Sequence, residues 1–373
     1  MKNVLRGSII AAVVALAVQP ALAVFASANT LDIYFIDVEG GQSTLIVTPA
    51  GQSLLVDTGF AGFENRDPLR ILAAVREAGL KQIDFLLVTH FHWDHDGGVP
   101  ELARRVPIRT FVDHGDLERT PEARAGSAWE VTLDRYNSYR AVRGNNPHLE
   151  PKPGDRLPLQ GVDVTFVSSA GATIGEPLPG AGRRTPGCTP TAPTADDPFE
   201  NPRSTGFVMR FGRFRFLDLG DLSGAPLFSL LCPKSLIGSV DVYLVPHHGG
   251  RDAAYPATFA GLRPRVAIVN NGAVKGGAPE TFDNLRRAPG LEGAWQLHTS
   301  TKQGVVNLPE SQSANLDETT AYWIKVSAKE DGSFTVTNAR TAVTTSFAAR
   351  SCCSPTPPSQ NKRKRSSRDS SGF

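Results

Sequence analysis

The chain has 373 residues, of which 40% are hydrophobic and 20% charged, and its formal net charge is +2. This length accommodates one large domain or two ordinary ones. The 35 Gly and 28 Pro residues are an ordinary share for a globular chain, so collagen-like, wholly low-complexity and wholly disordered proteins are excluded. The near-zero charge gives no global indication of a protein that binds nucleic acid or another polyanion.

The first residues have the pattern of a removable export signal. Lys2 and Arg6 precede the apolar run 9–18, and residues 21–23 (Ala-Leu-Ala) form a small-residue cleavage site, with 26–28 as a second one. The apolar run is shorter than the roughly 20 residues that a transmembrane helix needs. We predict a signal peptide over 1–23, a secreted or periplasmic protein, and no transmembrane segment after cleavage.

The other end of the chain is basic. Residues 351–373 are rich in Pro and Ser and include the run 362–365 (Lys-Arg-Lys-Arg), which predicts a disordered basic tail. The leader carries two of the positive charges and the tail a net four, so the body over 24–350 carries −4. A mildly acidic body argues against a broad nucleic-acid groove. A nucleic-acid partner would need the tail or a local Arg cluster.

Four cysteines can pair in three ways in an exported chain. Cys188 and Cys232 are the natural pair within the folded region, and closing that loop would stabilise the fold by about 4 kcal/mol in the chain-entropy description. Cys352 and Cys353 lie in the tail. No Cys-x-x-Cys spacing suggests a thiolate metal site.

Strand-like and helix-like segments alternate through the body. Residues 31–38, 44–48 and 53–57 predict two successive β-hairpins. Asp67 and Pro68 then begin a helix that places Leu69, Leu72 and Val75 on one face and ends at Gly79. Further strands are predicted at 84–88, 108–112, 162–167, 206–211, 214–219, 240–245, 266–269, 322–326 and 333–337, and further helices at 128–142, 222–231 and 280–287. With a long loop or insertion at 168–203, the pattern indicates one mixed α/β domain over 24–350.

Three histidines cluster directly after the strand at 84–88. His90, His92 and His95 fall within six residues, in the segment 89–98 (THFHWDHDGG). Imidazole and carboxylate are the ligands that zinc prefers outside thiolate sites. His90 and His92 can face one ion, while Asp94 and His95, after the turn, can face another. The segment therefore predicts a metal centre.

This His-x-His-x-Asp-His-x-Gly-Gly segment resembles the signature of the metallo-β-lactamase superfamily. The resemblance implies a four-layer αββα sandwich and a metal-dependent hydrolase. Residues 55–59 resemble the family's early strand, whose Asp, here Asp57, is buried behind the ligands. Residues 216–221 resemble the later strand whose Asp, here Asp221, bridges two metals. Residues 245–250 resemble the segment of the final ligand, which makes His247 that ligand and His248 its neighbour.

A shared carboxylate offsets the mutual repulsion of two ions, and the ions lower the pKa of a bridging water so that hydroxide exists near neutral pH. Asp94 can orient this nucleophile, so it is the predicted catalytic residue. The predicted cofactor is zinc, as one or two ions, with manganese as an alternative.

One landmark of the family is missing. Hydrolytic members usually carry another His before the bridging Asp, but here residues 200–208 contain Asn201 and Ser204 instead. This Asn-x-x-Ser pattern, with 35–43 and 246–249, resembles the branch that includes the domain of competence DNA-uptake proteins. The first ion would be held by His90, His92 and Asp221, supplemented by water or Asn201. The second, with Asp94, His95, Asp221 and His247, is better provided, so a single-metal enzyme stays open.

Several other side chains are candidates around the site. Lys275 and Arg251 could offer positive charge to a substrate, and His114 and His298 follow probable strands near the site. His148 is expected at the surface. Asp196 and Asp218 are expected to be ordinary surface or turn acids.

The sequence thus predicts an exported metal-dependent hydrolase with a metal-activated water. The branch resemblance favours a phosphodiester or related ester, so the partner is a small-molecule or phosphodiester substrate, with nucleic acid as a further option. The alternatives are a catalytically weak metal-binding or scaffolding member, a lactonase or β-lactamase-type hydrolase, and a redox member that uses iron. Redox members typically carry a flavin-binding partner domain, and the sequence shows none.

Overall fold

The computed structural model of the chain describes residues 29–119 and 128–350. The signal peptide predicted over 1–23 and the basic tail predicted over 351–373 lie outside the described residues. Among the helices of the described ranges, none combines the length and the apolar character that crossing a bilayer requires.

The described residues form two mixed sheets and six α-helices. The strands are β1 (Leu31–Phe35), β2 (Thr44–Val47), β3 (Ser53–Val56), β4 (Ile83–Leu87), β5 (Ile108–Val112), β6 (His148–Leu149), β7 (Arg156–Leu157), β8 (Asp163–Ser169), β9 (Ala172–Thr173), β10 (Gly206–Phe211), β11 (Phe214–Asp218), β12 (Val242–Leu244), β13 (Val266–Val269), β14 (Gly293–His298), β15 (Ser313–Asn315), β16 (Ile324–Ala328), β17 (Phe334–Asn338) and β18 (Val343–Phe347). The helices are α1 (Arg66–Glu77), α2 (Val99–Ala103), α3 (Ala128–Arg143), α4 (Gly224–Leu231), α5 (Pro256–Leu262) and α6 (Pro279–Arg287).

The first sheet has the strand order β18-β17-β16-β1-β2-β3-β4-β5-β6. Neighbours from β18 to β3 are antiparallel, which confirms the two successive hairpins of β1, β2 and β3. From β3 to β6 the neighbours are parallel. The carboxyl ends of β3 and β4 therefore meet at one edge of this sheet, where the segments that follow them lie side by side.

The second sheet has the order β15-β14-β13-β12-β11-β10-β8-β7, with β9 paired to β8. Its strands from β11 to β15 are parallel, whereas β7, β8, β10 and β11 are antiparallel neighbours. The carboxyl ends of β11 and β12 consequently meet at one edge as well. Open α/β sheets bind ligands at such carboxyl ends.

The two sheets pack face to face with helices on both outer faces. Alternate residues of β1 point inward, so Ile33 and Phe35 join the core between the sheets while Tyr34 joins the outer layer. Across the interface, the rings of Phe35 and Phe216 meet edge to face at 5.8 Å. Helices α1, α2 and α3 cover the first sheet, and α4, α5 and α6 cover the second. This arrangement confirms the αββα sandwich.

Helix α1 begins and ends where its sequence predicts, but its buried face differs from the predicted one at one position. Asp67 and Pro68 lie in its first turn, and Gly79, with φ of 70°, follows its end. Its buried face includes Ile71, whereas Leu69 is 44% exposed. The predicted apolar stripe was therefore confirmed at Leu72 and Val75 but wrong at Leu69, which lies beyond the edge of the buried face.

The long segment 168–203 is largely irregular, as predicted, but it is anchored to the second sheet. Cys188 and Cys232 form a disulfide with their Cα atoms 5.8 Å apart, which confirms the favoured pairing. The Thr185 amide also donates to the Pro233 carbonyl at 3.0 Å. The segment is thereby held against the end of α4.

Candidate metal centre

The loop after β4 turns its histidines inward because its backbone is fixed from two sides. The Thr89 amide donates to Asp57 Oδ1 at 2.8 Å, and the Phe91 amide donates to Glu200 Oε2 at 2.9 Å. Phe91 itself is fully buried in the outer core of the first sheet. With Phe91 pointing into that core, His90 and His92 leave the backbone on the opposite side.

Asp57, directly after β3, orients the third histidine of the loop. Its Oδ2 lies 2.7 Å from His95 Nδ1 and accepts a hydrogen bond from the Thr89 hydroxyl at 2.8 Å. A carboxylate at Nδ1 fixes the tautomer with a free lone pair on Nε2, as is usual for histidines that bind metals. The structure thus places Asp57 behind His95, fully buried.

Four buried side chains converge where the two sheets meet, and we call them the metal group. Their donor atoms lie within 4.8 Å of one another, and the members are Asp94, His95, Asp221 and His248. Asp221 Oδ2 is 3.2 Å from His95 Nε2 and 3.1 Å from His248 Nε2. Asp94 Oδ2 is 3.1 Å from His248 Nε2. Two carboxylates and two imidazoles form a donor set that zinc and manganese accept.

His248, and not His247, belongs to this group, which reverses the order predicted from the sequence. Both residues have a left-handed backbone, with φ of 52°. His248 is buried and turned toward Asp94 and Asp221. The side chain of His247 is 21% exposed and turns instead to Asp252, whose Oδ1 lies 2.7 Å from its Nδ1. Sequence spacing alone cannot separate two adjacent histidines, because the turn that aims them is a tertiary feature.

The two buried carboxylates of the metal group favour the binding of a cation. Burial alone would raise the pKa values of Asp94 and Asp221, but cationic neighbours hold both well below the usual range. Burial would lower the pKa of His95, yet Asp221, Asp94 and Asp57 raise it well above its usual value. Asp221 Oδ1 is buried without a hydrogen-bond partner among the described residues. A divalent ion would satisfy this oxygen and balance both carboxylates, so the residues fit the implied metal.

His90 and His92 lie beside the metal group. His90 Nε2 is 3.0 Å from His92 Nδ1 and 3.9 Å from Asp221 Oδ2. Burial, together with the nearby imidazoles of His95 and His92, holds the pKa of His90 well below its usual value, so this ring is neutral. The neutral His90 imidazole can offer a lone pair to an ion.

Asn201 and Ser204 also lie at the centre. Asn201 Nδ2 is 3.2 Å from His247 Nε2, and the Ser204 hydroxyl lies 3.4 Å from His90 Nδ1. The same hydroxyl accepts a hydrogen bond from the Asp221 amide at 3.2 Å. Ser204 therefore connects His90, which follows the first sheet, to the backbone of Asp221, which follows the second.

The centre opens into a cleft of about 420 Å³. His247 and His248 line it together with the cations Arg251, Lys275 and Lys302 and the acids Asp196 and Glu280. Lys275 contacts Asp94 Oδ2 directly, and its Nζ also donates to the Gly40 carbonyl at 2.9 Å. Lys275 thus reaches the metal group from the cleft side.

A larger cleft, of about 500 Å³, lies on the second sheet beside β8 and β10. Its lining includes Arg156, Arg210 and Arg215 but no histidine and no member of the metal group. Its size therefore does not make it the candidate site, since the convergent donors are elsewhere.

Three other histidines lie outside the cleft that adjoins the metal group. His114 is buried, with Nε2 3.1 Å from Glu200 Oε2, so it supports the loop through Glu200 instead of lining the pocket. His298 is buried beside Asp37 and Glu39, at 3.3 and 3.0 Å, and is not placed to contact a substrate. His148 is not free at the surface as expected, since its Nε2 lies 2.8 Å from the buried Asp113.

Sequence reasoning missed two supporting acids and misjudged a third. Glu200 and Asp252 hold the metal loop and His247, and neither stands in a recognisable motif. Asp218, expected to be a surface or turn acid, is buried at the end of β11 and accepts hydrogen bonds from Gln42 and the Gly220 amide. Desolvation by burial raises the pKa of Asp218 to about 7. Asp218 differs from the prediction because it ends β11 at the buried edge of the second sheet.

Comparison with known proteins supports the same centre. Residues 36–183, which include the whole metal loop, match the family model of the metallo-beta-lactamase superfamily. Over this range the chain carries a metallo-beta-lactamase superfamily domain. The matched range begins directly after β1 and ends in the long loop, so the second half of the centre, Asp221 to His248, follows it. The narrower resemblance to competence proteins stays a prediction.

One curated relative and two solved structures illustrate the similarity. The UPF0173 metal-dependent hydrolase of Polaromonas sp. is 28% identical over 240 residues, which cover 61% of this chain and 73% of the relative. A mutant of the beta-hydroxylase CmlA from Streptomyces venezuelae has a TM-score of 0.43 at 16% identity, covering 72% of this chain and 52% of CmlA. This chain thus spans about half the length of CmlA. YhfI, a metallo-beta-lactamase fold protein from Bacillus subtilis, has a TM-score of 0.41 at 11% identity. The match covers 72% of this chain and 95% of YhfI.

Proposed function

We propose that this protein is an exported metal-dependent hydrolase that cleaves a phosphodiester or a related ester. The metal group carries the proposal, because four buried donors converge within 4.8 Å of one another beside an open cleft. Asp94, His95, Asp221 and His248 would hold the ion. When bound, zinc or manganese acidifies a bound water and polarises the bond under attack. The name of the Polaromonas relative is consistent with this activity.

The protein's own residues orient the reacting groups. Asp57 keeps the proton of His95 on Nδ1, so that Nε2 faces the centre. Asp94 is the member of the metal group that contacts Lys275 of the cleft. It is therefore placed to orient the attacking water. In the proposed reaction, water adds its oxygen to phosphorus or carbonyl carbon, and its proton goes to the departing alkoxide.

The charges of the cleft support an anionic substrate. Arg251, Lys275 and Lys302 line it, against the carboxylates of Asp196 and Glu280. Arg251 is 3.7 Å from Asp196 and largely exposed, so its charge is available to a ligand. A phosphodiester carries one negative charge and would be attracted by these cations. The net charge of −4 on the body still argues for a small substrate over long nucleic acid.

The disulfide supports the export part of the proposal. Disulfides persist in oxidising compartments and are rare in the cytosol. Cys188 and Cys232 form one within the described structure, and the sequence begins with a leader pattern. N-terminal sequencing of protein from the periplasm or medium should begin at Val24, and protein found only in the cytosol with Met1 retained would contradict export.

A hydrolysis screen tests the catalytic part. Bis-p-nitrophenyl phosphate, a thioester, a lactone and a chromogenic cephalosporin are incubated with protein that has been stripped of metal and reloaded with zinc or manganese. We expect metal-dependent cleavage of the phosphodiester, its loss in Asp221→Asn, and its retention in the matched control Asp283→Asn on the exposed face of α6. Absence of turnover on every substrate by metal-loaded protein would favour the scaffolding alternative.

A further inference from the structure

We propose that the larger cleft, on the outer face of the second sheet, binds a small apolar molecule that carries one carboxylate group. Val208 and Arg210 share this face of β10, and Val208 belongs to the apolar layer under the helices. The cleft shares no lining residue with the cleft of the metal group, so the inference goes beyond the proposed hydrolysis. Its volume of about 500 Å³ is typical of a ligand pocket.

The first observation is a pair of arginines on neighbouring strands. Arg210 of β10 lies directly opposite Arg215 of β11 in the antiparallel register. Like charges in directly opposite positions destabilise a sheet, because both side chains leave the same face. Asp163 of β8 also lies opposite Arg210, but its Oδ1 is 3.7 Å from Arg156. Neither Arg210 nor Arg215 forms an ion pair with an acid of the described residues.

Both arginines keep hydrogen-bond donors that the described residues do not use. Arg210 is exposed, and its guanidinium donates to none of them. Nη2 of Arg215 donates to the Ile237 carbonyl at 2.7 Å, whereas its buried Nε has no partner there. Burial and the charge of Arg210 lower the pKa of Arg215, so a bound anion would stabilise its charged form. A carboxylate shared by the two guanidinium groups would offset their repulsion.

The apolar part of the cleft has a fixed wall. Its lining includes Ile174, Leu178 and Val208, together with three prolines. The Ile174 amide donates to the Val167 carbonyl at 3.0 Å, and the Leu178 amide donates to the Leu236 carbonyl at 2.8 Å. The disulfide anchors the same segment further along the chain. A wall that is held in place before binding reduces the entropy lost when an apolar ligand enters.

The charges of the lining favour a carboxylate over a phosphate. Arg156 and Asp163 pair with each other, so Arg210 and Arg215 against Glu176 leave a net charge of +1. A carboxylate carries one negative charge, whereas a phosphate monoester carries between about −1.5 and −2 at neutral pH. A single carboxylate therefore balances the cleft, and a phosphate monoester would exceed its charge.

The test measures binding of 4-iodobenzoate to the purified protein by calorimetry, and the anomalous scattering of iodine in crystals locates the molecule. We expect one bound molecule in this cleft. The uncharged 4-iodobenzyl alcohol, of similar shape, should bind at least about tenfold more weakly. Arg210→Met should weaken 4-iodobenzoate at least about fivefold. The matched control Arg109→Met, which alters an exposed arginine of β5, should leave its affinity unchanged.

Circular dichroism and thermal unfolding establish that the variants fold, and relief of the repulsion should keep the Tm of Arg210→Met at or above that of the parent. If Arg210→Met does not fold, Arg215→Met decides in its place.

Equal affinity for the alcohol, an unchanged affinity in the arginine variant, or no binding up to about 10 mM would overturn the inference. Iodine found only in the cleft of the metal group would do the same. A dimer in gel filtration that Arg210→Met dissociates would assign the cleft to a second copy of the chain and also overturn it. Each of these outcomes leaves the hydrolysis screen unaffected.

Discussion

Two clusters among the described residues hold histidine and carboxylate donors close enough together to share an ion, yet only one is suited to a metal. The metal group and the cluster of Asp37, Glu39 and His298 both have donor atoms within 4.8 Å of one another. In the second cluster, Arg70 Nη1 lies 2.7 Å from Asp37 Oδ2 and 2.9 Å from Glu39 Oε1. In the metal group, Asp221 has no Lys or Arg partner among the described residues. Arg70 thus balances both carboxylates of the second cluster, whereas in the metal group Lys275 reaches Asp94 and Asp221 is left to an ion.

A third buried carboxylate is neutralised in yet another way. Asp218 forms no ion pair with another described residue, and burial raises its pKa to about 7, so it keeps a proton in much of the acid range. Buried acids must be paired, protonated or bound to a cation. The three carboxylate sites therefore differ in what neutralises them, and each difference can be tested.

The largest expected effect comes from removing the shared carboxylate of the metal group. Asp221→Asn should lower kcat/KM for the phosphodiester by at least about 1,000-fold, because it removes a donor and the charge that balances the ion. Metal analysis of the same sample should show the loss of bound ion. Full metal content with full activity would show that the metal group is not the reaction centre.

In the second cluster, loss of Arg70 should cost stability and not metal. Arg70→Met leaves only His298 to balance Asp37 and Glu39, and breaking a buried ion pair from one side costs about 3–5 kcal/mol. Urea unfolding monitored by fluorescence measures this loss, and metal content should stay unchanged. A variant as stable as the parent, or one that loses its metal, would break the distinction between the clusters.

Asp218 should make the metal-free protein less stable as pH rises. Its pKa is about 7 in the folded protein and 3.8 in the unfolded chain, so between these values the folded state holds a proton that the unfolded state has released. The free energy of unfolding contributed by Asp218 therefore falls from pH 4 to pH 7, by on the order of 3 kcal/mol. Urea unfolding at several pH values should show a smaller decline in Asp218→Asn. Equal declines in both proteins would contradict the raised pKa.

Removing the ion should destabilise the protein by a smaller, concentration-dependent amount. An ion present at 100 times its Kd stabilises the folded state by about 2.7 kcal/mol, so a chelator should lower Tm accordingly. Asp221→Asn should show no such decrease, whereas Arg70→Met should show it in full. A chelator effect in Asp221→Asn as large as in the parent would assign the ion to another place.

Much of the centre was predictable because it is local. His90, His92, Asp94 and His95 lie within six residues, and the strand before them has a clear apolar pattern. Asp57 and Asp221 were found because each ends a strand with a recognisable sequence. The alternation of strands and helices predicted one mixed α/β domain, whereas the αββα sandwich was implied by the resemblance of the metal loop to the metallo-β-lactamase signature. Short elements such as α2 and α5, of five and seven residues, were missed because they span too few turns to show a period.

The sequence by itself determined the metal loop, the order of the strands along the chain and the probable disulfide partners, because these depend on near neighbours and on composition. Tertiary structure alone decided which histidine enters the metal group, since the left-handed turn at His247 and His248 aims the two rings differently. It also decided which partner each buried acid has. Arg70 is far from Asp37 in the sequence, and the Phe91 amide is far from Glu200, to which it donates. Charge compensation depends on distance in space, which residue spacing does not record.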